Sequence, residues 1–155
     1  MVEGSADMTG LVPATGTDVE LLVAMMEEFY GEAAYPFDAV RARRGFTELL
    51  STPHHGQSFV IVHESRPAGY LVLTRTFSME YGGRSAFIDD LYVRPAHRGR
   101  GVAAAALEAL RAVALALDVR AIHLEIERDN AAAQAVYRRA GFEANGRQLL
   151  TLRLA

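Results

Sequence analysis

A strand, a glycine-rich turn and a helix follow one another without a break between Ala86 and Leu117, and this run limits the fold more than any other stretch. The strand is Ala86 to Val93, the turn is Arg98-Gly99-Arg100-Gly101-Val102-Ala103, and the helix runs from about Gly101 to Leu117. The first backbone N–H groups of a helix have no internal partner and carry partial positive charge, so a helix start of this kind is an anion site. Gly99 and Gly101 let the backbone come close to an anion. Arg94, Arg98 and Arg100 add positive charge to a chain whose formal charge is −3. Read alone, the same residues are also a plain helix start with solvated arginines. They spell a third pattern as well, because Gly99 to Ala104 satisfies the dinucleotide signature G-x-G-x-x-G/A, with Glu125 or Glu127 as the distal acid. Three observations count against that reading. The turn follows four predicted strands instead of the first one. Five residues separate Val93 from Gly99, and 155 residues are too few for a complete dinucleotide fold with a catalytic domain. No Gly-Lys-Ser or Gly-Lys-Thr occurs, so a Walker loop is absent.

The rest of the chain sets this unit in a mixed fold. Leu11 to Pro13 reads as a short first strand. Thr17 with Glu20 forms a capping-box pattern, and Val19, Leu22, Val23, Met26 and Phe29 follow at helical spacing to an end near Gly31. A second helix is predicted from Asp38 to about Leu50, stopped by Ser51-Thr52-Pro53. Ser58 to His63 and Ala68 to Phe77 are strands joined at Glu64-Ser65-Arg66-Pro67, and Tyr81-Gly82-Gly83-Arg84 turns the chain into the strand at Ala86. After the central helix come a strand at Ala121 to Ile126 and a helix from about Asn130 to Arg139, ended by Gly141. Two closing strands are expected, near Phe142 to Ala144 and at Gln148 to Leu154, joined at Asn145-Gly146. The order β-α-α-β-β-β-α-β-α-β-β predicts an α/β mixed sheet of about seven strands with helices on both faces. Residues 1–8 read as a disordered lead, and 9–155 as a single domain.

Composition narrows the function. Half the residues are hydrophobic, which supplies a core, and the negative net charge argues against a bulk nucleic-acid face. No cysteine occurs, so disulfides, thiolate metal sites and a cysteine nucleophile are excluded. The five histidines form no metal pattern, and no metal is expected. No apolar run approaches a membrane span, the start lacks the features of a signal peptide, and a cytoplasmic location fits.

The residues around the turn resemble the GNAT superfamily of acyl-coenzyme A-dependent N-acetyltransferases. Arg98, Gly101 and Ala103 match that family's R/Q-x-x-G-x-G/A turn, after a strand ending in Leu91-Tyr92-Val93-x-Pro95. About 30 residues on, Asn130 to Phe142 match its N-x-x-A-x-x-x-Y-x-x-x-G-F block in full. The resemblance spans roughly Thr9 to the C-terminus and implies acetyl-CoA as co-substrate. It implies that backbone N–H groups from Arg98 through Gly99, Arg100, Gly101 and Val102 to Ala103 hold the pyrophosphate. The strand end at Leu91, Tyr92 and Val93 would pair with the pantetheine arm, as a peptide adds to a sheet edge. Asn130 would contact the arm from the other side, and Tyr137 would lie near the sulfur.

Direct attack of an amine on a thioester then makes three demands. The amine must be neutral, and with a pKa of about 10.4 only roughly one lysine-like amine in 2,500 is so at pH 7. Asp89 and Asp90 are the candidate bases. Simple alternation puts Asp89 on the face of Phe87, Leu91 and Val93 and Asp90 on the other, and the resemblance ranks Asp89 first. Glu125 is a third candidate, and the aspartates also read as turn caps or partners of Arg84. The tetrahedral oxyanion needs a donor, for which the Val93 N–H serves. The thiolate needs a proton, and Tyr137 is the candidate acid, although its stripe with Ala133, Val136 and Ala140 also reads as core. For the acceptor, a primary amine of a small molecule or a protein, the candidate contacts are Tyr30, Tyr35, Glu80 and Glu125. Acids and aromatics near the first helices suit a cation, while Arg41, Arg43 and Arg44 argue the opposite. Two other readings stay open at this point: an acyl-CoA-binding regulatory protein without amine acetylation, and a nicotinamide dinucleotide-binding protein. An exposed terminal strand offers a route to a homodimer.

Overall fold

The computed structural model describes residues 8–155, and the expected lead falls mostly outside the described residues. Two compact units make up the chain, one ending at Glu125 and one running Ile126–Ala155.

The first unit is built on a five-stranded sheet in sequence order: β1 (Thr9–Pro13), β2 (Gly56–His63), β3 (Arg66–Ser78), β4 (Gly83–Val93) and β5 (Ala121–Leu124). The first four strands pair antiparallel, and β5 joins β4 in parallel. α1 (Val19–Ala33) and α2 (Ala39–Ser51) cover one face. Leu22, Val23, Met25, Ala42 and Phe46 from these helices form one core cluster with Val60, Tyr70, Val72 and Tyr92 of the sheet. The opposite face carries Phe59, Ile61, Leu71 and Leu73, all buried. α3 (Val102–Ala116), which lies against β1 and β4, contributes Val102, Ala106, Leu107, Leu110 and Ala114 to the buried set. The mixed sheet with helices on both faces is as the sequence order implies.

Three local expectations shift. Thr17 caps no helix: α1 is entered from Asp18, and the capping box belongs to Thr15. Thr15 opens a 3-10 turn at Gly16–Asp18, and its N–H donates to the Asp18 carboxylate at 2.8 Å. Glu20 instead pairs with Arg43 of α2 at 2.6 Å. α1 also runs past Gly31 and ends where Ala34 turns left-handed at φ 56°. β5 stops at Leu124, so Glu125 lies beyond the strand. The cap of α2 is where the sequence puts it: the Asp38 carboxylate accepts from the N–H groups of Val40 and Arg41.

The second unit contains α4 (Ala131–Arg139). Gly141, at φ 98°, ends it in a Schellman arrangement, with Gly141 N–H donating to the Arg138 carbonyl and Phe142 N–H to the Tyr137 carbonyl, each at 3.0 Å. The two closing strands are not formed. Residues 142–155 belong to no strand, and Asn145 closes a local turn by accepting from the Arg147 N–H at 3.0 Å. The alternation of the terminal leucines is a strand pattern, but a strand exists only with a neighbour to complete its ladder.

Candidate active site

β4 changes phase in its middle, and that change builds the site. Val72 pairs with Asp90 and Leu73 with Ile88, so Asp89 is the extra residue of a β-bulge. A bulge resets side-chain alternation. Asp90 and Tyr92 share the face of Val72 and Tyr70, under α1, whereas Leu91 and Val93 share the face of Leu71. Phe87, paired with Thr74, lies on the Asp90 face. The alternation expected from sequence therefore breaks at Asp89: Phe87 does not share a face with Leu91 and Val93.

The two aspartates fare differently. Asp90 is buried, and its carboxylate accepts from the Tyr70 hydroxyl at 2.8 Å and, more weakly, from the Tyr30 hydroxyl at 3.3 Å. Desolvation pushes its carboxyl up to about 6; the tyrosine hydrogen bonds pull the other way, and the neighbouring Asp89 charge adds to the rise. Both hydroxyls are in turn held protonated well above the ordinary tyrosine range, by burial first and by the Asp90 charge second. Asp89 reaches solvent, and no hydrogen bond or ion pair engages its carboxylate among the described residues. Partial desolvation raises its carboxyl above the usual value. Asp89 is thus the carboxylate left free to take a proton, and Asp90 the one tied into the protein.

Beyond the bulge, one edge of β4 lies open. The Arg94 N–H donates to the Ala68 carbonyl at 2.7 Å, which fixes the phase of the antiparallel ladder. By its alternation the N–H groups of Leu91 and Val93 point away from β3. On that side β5 pairs only as far as Ile88, opposite Leu124. Five residues of β4, Asp89 to Val93, therefore run on past their parallel neighbour, with the Leu91 and Val93 N–H groups on that edge.

The turn after β4 supplies a second set of free donors. A short 3-10 turn at Pro95–His97 uses the Arg98 N–H, which donates to the Pro95 carbonyl at 3.2 Å. Gly99 and Gly101 then take left-handed φ of 72° and 74°, and a Cβ on either would meet nothing within 4 Å. The first N–H to find a helical acceptor is that of Ala105, on the Gly101 carbonyl at 3.0 Å. The amides from Gly99 to Ala104 are left for an outside acceptor at the positive end of a 15-residue helix. The arginines are occupied. Arg94 makes a bidentate pair with Glu28 at 2.9 and 3.1 Å, Arg98 bonds Glu32 at 2.6 Å and the Val93 carbonyl at 2.9 Å, and Arg100 meets Glu64 at 3.3 Å. Their charge is largely balanced, so the anion site is one of backbone groups.

Of the other expected residues, Tyr30 and Tyr35 lie together, ring centroids 5.6 Å apart, and the Tyr30 hydroxyl reaches Asp90. Glu80 sits apart from them, at the β3–β4 hairpin tip, where Tyr81 packs on His123 of β5 at 5.3 Å. In the second unit Asn130 caps α4 by accepting from the Ala133 N–H at 3.1 Å. Tyr137 packs edge-on against Phe142, and burial pushes its hydroxyl up to about 12. Tyr70 is the residue that sequence reasoning missed. In a strand of alternating apolar residues a buried tyrosine looks like core, and only the Asp90 pairing gives its hydroxyl a purpose. Among the described residues no group of three or more side chains has the makeup of a metal site.

A mixed sheet whose fourth strand runs past its parallel neighbour and into a turn and helix start with unpaired amides is the arrangement of an acetyltransferase fold. The profile of the Acetyltransferase (GNAT) family matches residues 20–142, and the chain belongs to that family. It is 31% identical over 113 residues to the Uncharacterized N-acetyltransferase YycN of Bacillus subtilis (strain 168), covering 70% of this chain and 71% of that protein. Among solved structures it is similar to the integron cassette protein HFX_CASS3 from the mobile metagenome of Cole Harbour Salt Marsh. The TM-score is 0.84 and the identity 43%, over 94% of this chain and 90% of that one. A protein described as a predicted acetyltransferase with acetyl-CoA, from Clostridium acetobutylicum, shares the fold at TM-score 0.78 and 18% identity, over 94% of this chain and 96% of that one.

Proposed function

We propose that this chain moves an acetyl group from acetyl-CoA to a primary amine by direct attack. The observation that carries the reading is the run of unpaired amides from Gly99 to Ala104, following directly on the open edge of β4. The first suits a pyrophosphate, and the second suits the amides of a pantetheine arm.

In the reaction the amine nitrogen forms a bond to the thioester carbonyl carbon, and the carbon–sulfur bond breaks. Asp89 takes the amine proton, directly or through one water. The Val93 N–H, on the open edge, donates to the developing oxyanion. Tyr137 returns a proton to the sulfur, a role that rests on the Asn130 to Phe142 motif. With its hydroxyl near 12 and a thiol near 8.5 in water, that transfer is uphill by roughly 5 kcal/mol unless the sulfur is desolvated too. The donor therefore acts late, as carbon–sulfur cleavage builds charge on sulfur. Tyr30, by its place next to Asp90, and Tyr35, packed on Tyr30, line the acceptor side.

Incubation with acetyl-CoA and a panel of amines, followed by free thiol, tests this. The chain has no cysteine, so every thiol counted is product. Release that depends on a particular amine is the expected result. Tight coenzyme A binding with no release for any amine would favour the regulatory reading, and preference for a nicotinamide cofactor would overturn the coenzyme assignment.

A further inference from the structure

Two histidines that the proposed reaction does not use meet at the turn after β4. His63 ends β2 and is 1% exposed. His97 ends the 3-10 turn, where its N–H donates to the Arg94 carbonyl at 2.9 Å. The two rings stand edge-on with centroids 5.4 Å apart. His63 Nδ1 shares a hydrogen bond with the Thr9 hydroxyl at 3.1 Å. His63 Nε2 and His97 Nδ1 are buried and have no hydrogen-bond partner among the described residues. A buried polar atom left in that condition is unfavourable, so the pair gains from any change that satisfies it. Two routes join the pair to the turn. His97 runs directly into Arg98 and Gly99. One oxygen of Glu64 lies 3.8 Å from His63 Nε2 and 3.3 Å from Arg100 Nη1, and Arg100 stands between the left-handed Gly99 and Gly101. The other charged neighbours are few. Arg66 is the register partner of His63 on β3 and is exposed, while Arg94 and Arg98 are paired to Glu28 and Glu32 of α1. β1 and the start of α3, Val102 to Leu107, carry no ionisable side chain.

We infer that His63 and His97 are positioning residues for the turn, and that the pair takes up a proton from solvent when the coenzyme's pyrophosphate binds. This rests on the coenzyme reading above. A pyrophosphate brings negative charge to amides whose neighbouring arginines are already balanced by Glu28, Glu32 and Glu64. Imidazole is the side chain that ordinarily gains a proton between pH 5 and 8, and these are the histidines at the turn. A proton on His63 makes both of its ring nitrogens donors, one to Thr9 and one to Glu64. An approach of about 1 Å by Glu64 completes the second bond. The same Glu64 oxygen holds Arg100, so the move loosens that arginine toward the anion. The buried nitrogen is satisfied and the charge on the turn rises in one step. By linkage, uptake of roughly half a proton tightens coenzyme A binding about threefold for each unit fall in pH near 7.

Calorimetric titration of the full chain with coenzyme A at pH 7, in two buffers of different ionisation enthalpy, counts the protons taken up. The expected result is roughly half a proton per coenzyme for wild type and less than half of that for His97→Asn. Any proton gained by the coenzyme's own phosphate cancels in this comparison. The variant should bind within about twofold of wild type at pH 8.5 and fall behind it at pH 6.5. An equal loss at both pH values with the uptake unchanged would mark a merely structural pair and overturn the inference. Nuclear magnetic resonance on the wild type gives a second reading. The ring C–H signals of His63 and His97, assigned by elimination with His54→Asn, His55→Asn and His123→Asn, should move toward their protonated positions when coenzyme A is added at pH 7. Signals that stay in place overturn the inference, whether or not His97→Asn folds. Failure of coenzyme A to bind at all would overturn the coenzyme reading together with this one, whereas binding without proton uptake overturns this one alone.

Discussion

The turn beyond β4 and the middle of β4 would do different work, by different means. In the turn, from Gly99 to Ala104, the proposed anion site consists of backbone amides, and the nearby arginines are paired to glutamates. In the middle, at Asp89 and Asp90, the proposed site consists of side chains, and the backbone contributes only the bulge that sorts them. A backbone site depends on conformation and tolerates loss of neighbouring side chains. A side-chain site depends on which of two adjacent carboxylates is left without partners.

Substitutions can break this contrast, and Asp89→Asn should do most. Loss of the free base is expected to lower kcat by roughly 10²- to 10⁴-fold with little change in coenzyme A affinity, read by steady-state kinetics beside calorimetric titration. A kcat within a few-fold of wild type would move the base elsewhere. Asp90→Asn probes the tied carboxylate through stability. Its folded value of about 6 lies above the ordinary 3.8, so the folded state binds the proton more tightly than the unfolded state. Asp90 therefore costs stability at pH 7.5, and the cost is relieved as pH falls through 6 toward 4. Wild type should gain up to roughly 3 kcal/mol over that range relative to Asp90→Asn. Urea melts at several pH values measure this, and parallel profiles for the two proteins would refute it.

The smallest effect belongs to the turn. Gly101→Val forces a β-branched residue to φ 74°, a cost of roughly 1–2 kcal/mol, and coenzyme A affinity should fall about tenfold in titration. Arg98→Ala removes a half-exposed ion pair with Glu32, for which about 1 kcal/mol is a ceiling, and should matter less. A larger loss with Arg98→Ala than with Gly101→Val would mean that side-chain charge holds the anion after all.

The same contrast explains what the sequence made legible. The turn alone was ambiguous, since the same glycines also fit a plain helix start or a dinucleotide signature; the strand before it and the Asn130 to Phe142 block after it made it readable. The Asn130 to Phe142 block was readable from its match to the family motif, and Gly141 ends α4 where a C-terminal cap was expected. The bulge was not. Ala86 to Val93 alternates smoothly enough to pass as a regular strand, and the shift in phase shows only when Val72 and Leu73 are set against it. The Thr15 cap was hidden by a second threonine two residues on. The closing strands were over-read, since a period-two pattern reports a capacity to pair and says nothing of whether a partner is present.

One further feature bears on how the site behaves in time. Glu28 and Glu32 sit one turn apart on α1 and grip Arg94 and Arg98 on either side of the 3-10 turn, with the Tyr92 hydroxyl 3.4 and 3.3 Å from the two carboxylates. The turn after β4 is thereby braced to the helix that also carries Tyr30. Loss of either ion pair would therefore loosen the turn from that helix.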